Sequence, residues 1–169
     1  LWKTQVDTIY GGFKGAPKFP MPNSLDFLMR YGAQFKDTST DKYVNTALTK
    51  IAYGGIYDHV AGGFSRYAVD EKWHIPHFEK MLYDNAQLLS VFSKAYKVFK
   101  EPRFKEELYK MHAFLELKMS SPNNLIYSSI SADTNYEDGS KEEGDFYVWN
   151  KNEIKQVLQQ DYKWVSDYY

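Results

Sequence analysis

The chain has 169 residues, and its 21 basic and 22 acidic side chains leave a formal charge of −1, so no net positive field is available to hold nucleic acid or an anionic membrane. A mean hydropathy of −0.59, with no apolar run near the ~20 residues of a spanning helix, excludes a membrane-embedded chain. The absence of cysteine excludes disulfide scaffolds, cysteine nucleophiles and thiolate metal sites within it.

The first ten residues, LWKTQVDTIY, read as the tail of a helix. The Gly/Pro-rich loop GGFKGAPKFPMP follows. Asn23 or Ser24 is the expected cap of a helix running to about Phe35, with Leu25, Leu28, Met29 and Phe35 on one face. Thr40 is the expected cap of a second helix that carries Tyr43, Val44, Ala47, Leu48 and Ile51 and ends at Gly54-Gly55. After a loop rich in Gly and rings, Pro76 reads as the first position of a long helix to about Lys100. Glu101-Pro102 separates it from a helix marked by Phe104, Leu108, Met111, Leu115 and Met119. Ser121–Asn124 reads as a turn. Leu125–Ser129 and Phe146–Trp149 read as short strands around the polar loop DTNYEDGSKEEGD, and a last helix starts near Lys151. The expected fold class is all-α with minor β: helix hairpins joined by long, chemically loaded loops. The opening Leu1 and the absence of a Gly or Pro stop after DYKWVSDYY lead us to expect a piece of a longer chain.

Candidate chemistry concentrates in residues 54–88, GGIYDHVAGGFSRYAVDEKWHIPHFEKMLYDNAQL. A loop that only connects helices needs few of Asp58, His59, Arg66, Asp70, Glu71, Trp73, His74, His77, Glu79 and Asp84. On a helix starting at Pro76, His77 and Asp84 fall together at the edge of the apolar face, and Asn85 falls within that face. There its amide either ties down the loop backbone or reaches a polar cavity. Other roles stay open too. Glu79 is either an acid/base or a carboxylate suited to the helix dipole; Asp84 is either a site residue or the partner of Lys80 one turn back. Arg66 either organises its loop or clamps an anion. No metal is expected, because the histidine spacing fits no two-His helix motif and the acidic loop at Asp133–Glu143 lacks EF-hand spacing. His112 reads as a structural residue flanking a core stripe. The remaining mixture suits a carbohydrate site: rings (Tyr57, Phe64, Tyr67, Trp73, Tyr83) beside carboxyl and imidazole groups (Asp58, His74, His77, Glu79, Asp84).

The stretches GGFKGAPKFP, GGIYDHVAGGFSRYAVDEKWHIPHFEKMLYDNAQL and YSSISADTNYEDGSKEEGDFYVW, in this order, resemble the DUF255 family of thioredoxin-domain-containing proteins, to which spermatogenesis-associated protein 20 is related. The resemblance covers most of residues 11–155. It implies a partial (α/α)6 toroid, similar to six-hairpin glycosidases and N-acylglucosamine 2-epimerases, as one domain over 1–169. The thioredoxin-like domain and the remaining hairpins would lie outside this chain. With no thioredoxin cysteines here, no redox chemistry is assigned. The family's acidic DAD run stands here as Ser131-Ala132-Asp133-Thr134-Asn135, with one acidic position changed. No cofactor is implied. On the catalytic reading Glu79 or Asp84 is acid/base, with His77 and Asp58 in the same catalytic set, while Arg66, Tyr67, Trp73, His74, Tyr83 and Asn85 bind substrate. The alternative is a non-catalytic module that binds a glycan, peptide or protein in the same pocket. The partners considered are a sugar or glycan, the rest of a parent chain and a second copy. Aromatic residues make up 18% of the chain. On these readings they divide into core rings (Phe78, Phe92, Phe104), cavity rings in the motif loop (Tyr57, Phe64, Tyr67, Trp73), and faces that lack neighbours (Trp2, Trp164, Tyr168, Tyr169).

Overall fold

The computed structural model describes residues 2–167, in two compact units, Leu1–Ala132 and Asp133–Tyr169. Tyr168 and Tyr169 lie outside the described residues. Among the described residues no helix is long and apolar enough to cross a membrane.

The first unit is built from two helix hairpins, α1 (Pro22–Phe35) with α2 (Thr38–Tyr53), and α3 (Leu82–Phe99) with α4 (Pro102–Leu117). α1 also packs along α3 and α2 along α4, so the hairpins stand side by side in two layers. The apolar stripes explain this arrangement. Leu25, Leu28 and Met29 of α1, Val44, Ala47, Leu48 and Ile51 of α2, Leu88, Val91 and Phe92 of α3, and Phe104 and Met111 of α4 are buried in one cluster. Each large side chain so buried contributes about 1.5–3 kcal/mol. Phe92 lies at the centre, stacked on Phe64 at 5.5 Å and edge-on to Phe104 at 5.4 Å.

The helix starts differ from expectation in three places. α1 begins with Pro22 at its first turn and Met21 as the cap, so Asn23 and Ser24 lie inside the helix rather than capping it. α2 is capped by Asp37, whose carboxylate accepts from the amides of Ser39 and Thr40. α3 begins at Leu82, not Pro76, because the preceding backbone is committed elsewhere. The amide of His77 donates to the carbonyl of Tyr67 (3.0 Å), and the amide of Arg66 donates to the carbonyl of Glu79 (2.8 Å). Phe78 is left-handed, and β1 (Lys80–Met81) pairs antiparallel with β2 (Ser129–Ile130). His77 and Glu79 are therefore loop residues, and the helical alignment of His77 with Asp84 does not form. The opening residues make a single 3-10 turn, Trp2–Thr4.

In the second unit the expected polar loop contains a hairpin, β3 (Asp133–Asn135) with β4 (Lys141–Glu143). The expected strand at Phe146–Trp149 is replaced at its start by a 3-10 turn, Asp145–Tyr147. α5 (Lys151–Leu158) starts at a capping box in which Asn150 and Glu153 satisfy each other's amides. α6 (Tyr162–Ser166) follows, and Trp164 on it is 81% exposed.

Both hairpins of the first unit begin with the same device. The segments DTIYGGF (7–13) and DHVAGGF (58–64) share an Asp, two glycines and a Phe at identical spacing. Asp7 accepts from the amides of Ile9 and Tyr10, and Asp58 accepts from those of Val60 and Ala61. A buried lysine closes each loop. Lys18 Nζ donates to Asp7 (2.6 Å) and to the Gly11 carbonyl (2.8 Å), and Lys80 Nζ donates to Asp58 (2.8 Å) and to the Gly62 carbonyl (2.9 Å). The second glycine of each pair has positive φ and abuts a ring: a Cβ on Gly12 would stand 2.7 Å from Trp73, and one on Gly63 would stand 2.6 Å from Phe114. The same two rings face the lysines, at 5.7 Å for Lys18 and 4.9 Å for Lys80.

Candidate functional site

Several of the expected site residues belong to this scaffold. Asp58 is held by Lys80 and two amides. Burial opposes its ionisation, but these partners keep its carboxyl below the usual range. Asp7 makes the same set of bonds at the other hairpin, which marks Asp58 as a loop clamp rather than an acid/base. Trp73 is fully buried, and its indole donates to the Tyr10 carbonyl at 2.7 Å, so it is a core ring and not a sugar platform. Tyr57 and Phe64 are likewise core rings, 4.6 Å apart. Asn85 is fully buried and ties the loop down: its oxygen accepts from the Phe64 amide, and its nitrogen donates to the Phe64 and Met81 carbonyls. His74 is exposed, and its amide is held by Asp70, which also receives the amides of Lys72 and Ile75. Its side chain does not line the cavity described below. His112 pairs with Glu116 on the surface.

A cavity of about 320 Å³ opens where α1 and α3 begin. Phe19, Pro20, Met21 and Pro22 form its apolar wall, and Asn23, Ser24, Arg66, Tyr83, Asp84 and Gln87 supply its polar groups. A mostly apolar hollow with a few converging polar groups is the usual form of a small-molecule site. The loop brings Arg66, α3 brings Tyr83, Asp84 and Gln87 within one and a half turns, and α1 brings Asn23 and Ser24. Tyr67 and His77 stand behind this wall: Phe19 packs on Tyr67 at 4.9 Å and Tyr67 stacks on His77 at 4.6 Å. Thus Arg66, Tyr83 and Asp84 come together at the cavity, with Glu79 beside them through its ion pair to Arg66 (3.5 Å).

Among the described residues that line this cavity Asp84 is the one carboxyl, and its Oδ2 is buried without a hydrogen-bond partner. Burial pushes its carboxyl up to about 6. Arg66 opposes that shift and Glu79 reinforces it. A carboxyl poised there can hold a proton near neutral pH and give it to a bound oxygen.

Asn23, Ser24, Gln87 and Phe19 do not stand out as site residues in the sequence. Asn23 and Ser24 read as a cap, and Gln87 falls on the polar side of a helix begun at Pro76. A second hollow of about 370 Å³ shares Pro20, Met21, Asn23 and Ser24 with the first, and is lined otherwise by Trp2, Val6, Phe13, Leu28 and their neighbours. Its one titratable group, Tyr43, already donates to the Gly12 carbonyl at 3.0 Å, so the chemistry belongs to the smaller cavity. Among the described residues no group of three or more His, Asp or Glu converges as a metal site.

No protein-family model matches the chain. It is 40% identical over 157 residues to spermatogenesis-associated protein 20 of Mus musculus and 38% identical to that of Homo sapiens, each match covering 90% of this chain and 20% of the relative. An uncharacterised Caenorhabditis elegans protein is 38% identical over 164 residues, covering 92% of this chain and 22% of that one. The chain thus spans about a fifth of the length of the curated relatives it matches. Among solved structures it is similar to cellobiose 2-epimerase from Bacillus thermoamylovorans (TM-score 0.66, 17% identity, 76% of this chain and 36% of that one). It is also similar to a sugar epimerase from a ruminal bacterium (0.62, 16%, 94% and 44%). A family 76 glycoside hydrolase from a bovine Bacteroides thetaiotaomicron strain gives 0.57 and 17%, over 86% of this chain and 30% of that one. At these identities the likeness establishes the fold alone. That fold is all-α with minor β, part of an (α/α)6 toroid.

Proposed function

We propose that this chain, a homologue of spermatogenesis-associated protein 20 over about a fifth of that protein's length, carries a sugar-active site in which Asp84 is the proton donor. The observation that carries this reading is the half-buried Asp84 carboxyl, with a buried Oδ2 that has no hydrogen-bond partner, in the lining of a cavity walled by Phe19, Pro20, Met21 and Pro22 and edged by Asn23, Ser24, Gln87 and Arg66. The amides and hydroxyls supply paired donors and acceptors for sugar hydroxyls, and the apolar wall suits the C–H face of a pyranose. Arg66, fixed against Glu79, positions the substrate. Asp84, which holds its proton up to a pH of about 6, donates to a glycosidic or carbonyl oxygen and afterwards takes a proton back. The sugar epimerases and glycosidases that share the fold support the substrate class.

A non-catalytic reading has one observation in its favour. Acid/base reactions at sugars usually employ a pair of carboxylates. Here Asp58 is spent in a clamp and Glu79 is paired with Arg66, which leaves Asp84 alone. The test is to incubate the chain with mono- and disaccharides in D2O, following deuterium entry at carbon and release of reducing ends. The catalytic reading predicts turnover that Asp84→Asn abolishes with folding and binding intact. Binding without turnover, unaffected by that change, would replace it with the binding module.

A further inference from the structure

We infer that the cavity at the start of α1 and α3 selects an uncharged sugar and turns away the corresponding uronate. This rests on the sugar-site reading and adds its substrate class.

Among the described residues lining the cavity Arg66 is the only cationic side chain, and its guanidinium already faces Glu79 at 3.5 Å. Lys80, the residue after Glu79, is buried in the Asp58 clamp and directed to the Gly62 carbonyl. Against that single engaged cation stand two carboxyl groups, Glu79 and Asp84, and Glu79 already raises the cost of ionising Asp84. A ligand carboxylate would bring a third. To reach Arg66 in the two-pronged geometry that makes Arg–carboxylate recognition strong, it would have to share the guanidinium with Glu79. Three carboxyl groups would then crowd one cation. Shifting the ligand towards α1 meets no cationic side chain, because Asn23 and Ser24 are neutral. Arg30 of α1 and Lys94 of α3 are both engaged by Asp26, at 3.0 and 2.8 Å.

An uncharged hexose meets none of these costs. Asn23, Ser24, Tyr83 and Gln87 each offer both a donor and an acceptor, the pattern that hydroxyl groups require. Arg66 can then keep Glu79 and still direct a free N–H at a sugar oxygen.

Matched methyl glycosides test this with the intact chain: glucose against glucuronate, galactose against galacturonate, mannose against mannuronate. Affinities are read by calorimetry or ligand-observed NMR at pH 7.5 and low salt, where charge effects are least screened. At least one neutral glycoside should bind, with its uronate weaker by roughly tenfold or more, as expected for one uncompensated like charge at close range. Glu79→Gln combined with Asp84→Asn should shrink that gap to about threefold or less. Should the double variant not fold, the native-protein comparison still decides. A uronate that binds as well as its neutral partner, or better, overturns this inference and leaves the sugar site standing. Binding of neither member in any pair overturns both.

Discussion

In the first hairpin Lys18 closes its loop on Asp7, and Met21 and Pro22 stand three and four residues later; in the second, Lys80 closes on Asp58 and the same places hold Tyr83 and Asp84. Asn23 and Asn85 each follow five residues after the lysine. Asn23 is exposed at the cavity, whereas Asn85 is buried and spends its amide on loop backbone. The two hairpins therefore share a scaffold but not a chemistry. Duplicated Asp–Lys clamps set the backbone, and the differing residues just beyond the lysine decide which hairpin offers a titratable group. Between the second clamp's GGF and its lysine runs a longer loop than in the first, and that insertion supplies Arg66 and Glu79.

If the clamps are equivalent scaffolds, breaking either should be about equally damaging. Lys80→Met strands the half-buried Asp58 and Lys18→Met strands Asp7, and each should cost about 3–5 kcal/mol in denaturant unfolding. A cost confined to Lys80→Met would break the equivalence. Next in size, Gly63→Ala puts a methyl group 2.6 Å from Phe114 at a φ of 84°, and should cost about 2–4 kcal/mol. Gly15→Ala, at a φ of 89° with open space around it, should cost only about 1 kcal/mol. The same unfolding experiment measures both.

The two aspartates should then part in opposite directions with pH. The Asp84 carboxyl is raised above its unfolded value of 3.8 to about 6, so the folded state binds the proton more tightly. Stability is gained on protonation and lost as pH rises from about 4 through 6. Asp84→Asn should accordingly raise Tm by a few degrees at pH 7, with the gain fading below about pH 4. The Asp58 carboxyl is depressed below 3.8, so its contribution is present above that value and lost as pH falls through the folded one. Asp58→Asn should lower Tm at pH 7. The smallest effect belongs to Arg66→Gln. Its ion pair with Glu79 is partly exposed, and the loss should be under about 1 kcal/mol even though sugar affinity falls.

Much of the helical frame is legible in the sequence. The stripes through Leu25, Val44, Leu48, Phe92 and Phe104 repeat at helical spacing, and Gly54 and Pro102 punctuate as such residues do. The site is legible only in part. Asp84, Arg66 and Tyr83 stand out because charged and aromatic residues crowd a Gly-rich segment. Asp58 and Trp73 stand out for the same reason and prove to be scaffold, because composition cannot tell a carboxylate with a buried lysine opposite from one facing a cavity. The repeated DxxxGGF spacing is the signal that separates them. The start of α3 is misread because Pro76 suits a first helical turn, whereas beyond it the His77 amide donates to Tyr67, the Glu79 carbonyl accepts from Arg66, and Lys80–Met81 pair with β2.

The most direct measurement is an NMR titration of the aspartate side-chain carboxyl carbons in the intact chain, with Asp84→Asn and Asp58→Asn assigning the two resonances. A midpoint near 6 is expected for Asp84, and for Asp58 a midpoint below 3.8. An Asp84 carboxyl that titrates at or below about 4 would contradict the proton-donor role, because the cavity would then hold a solvated carboxylate with no proton to give at neutral pH.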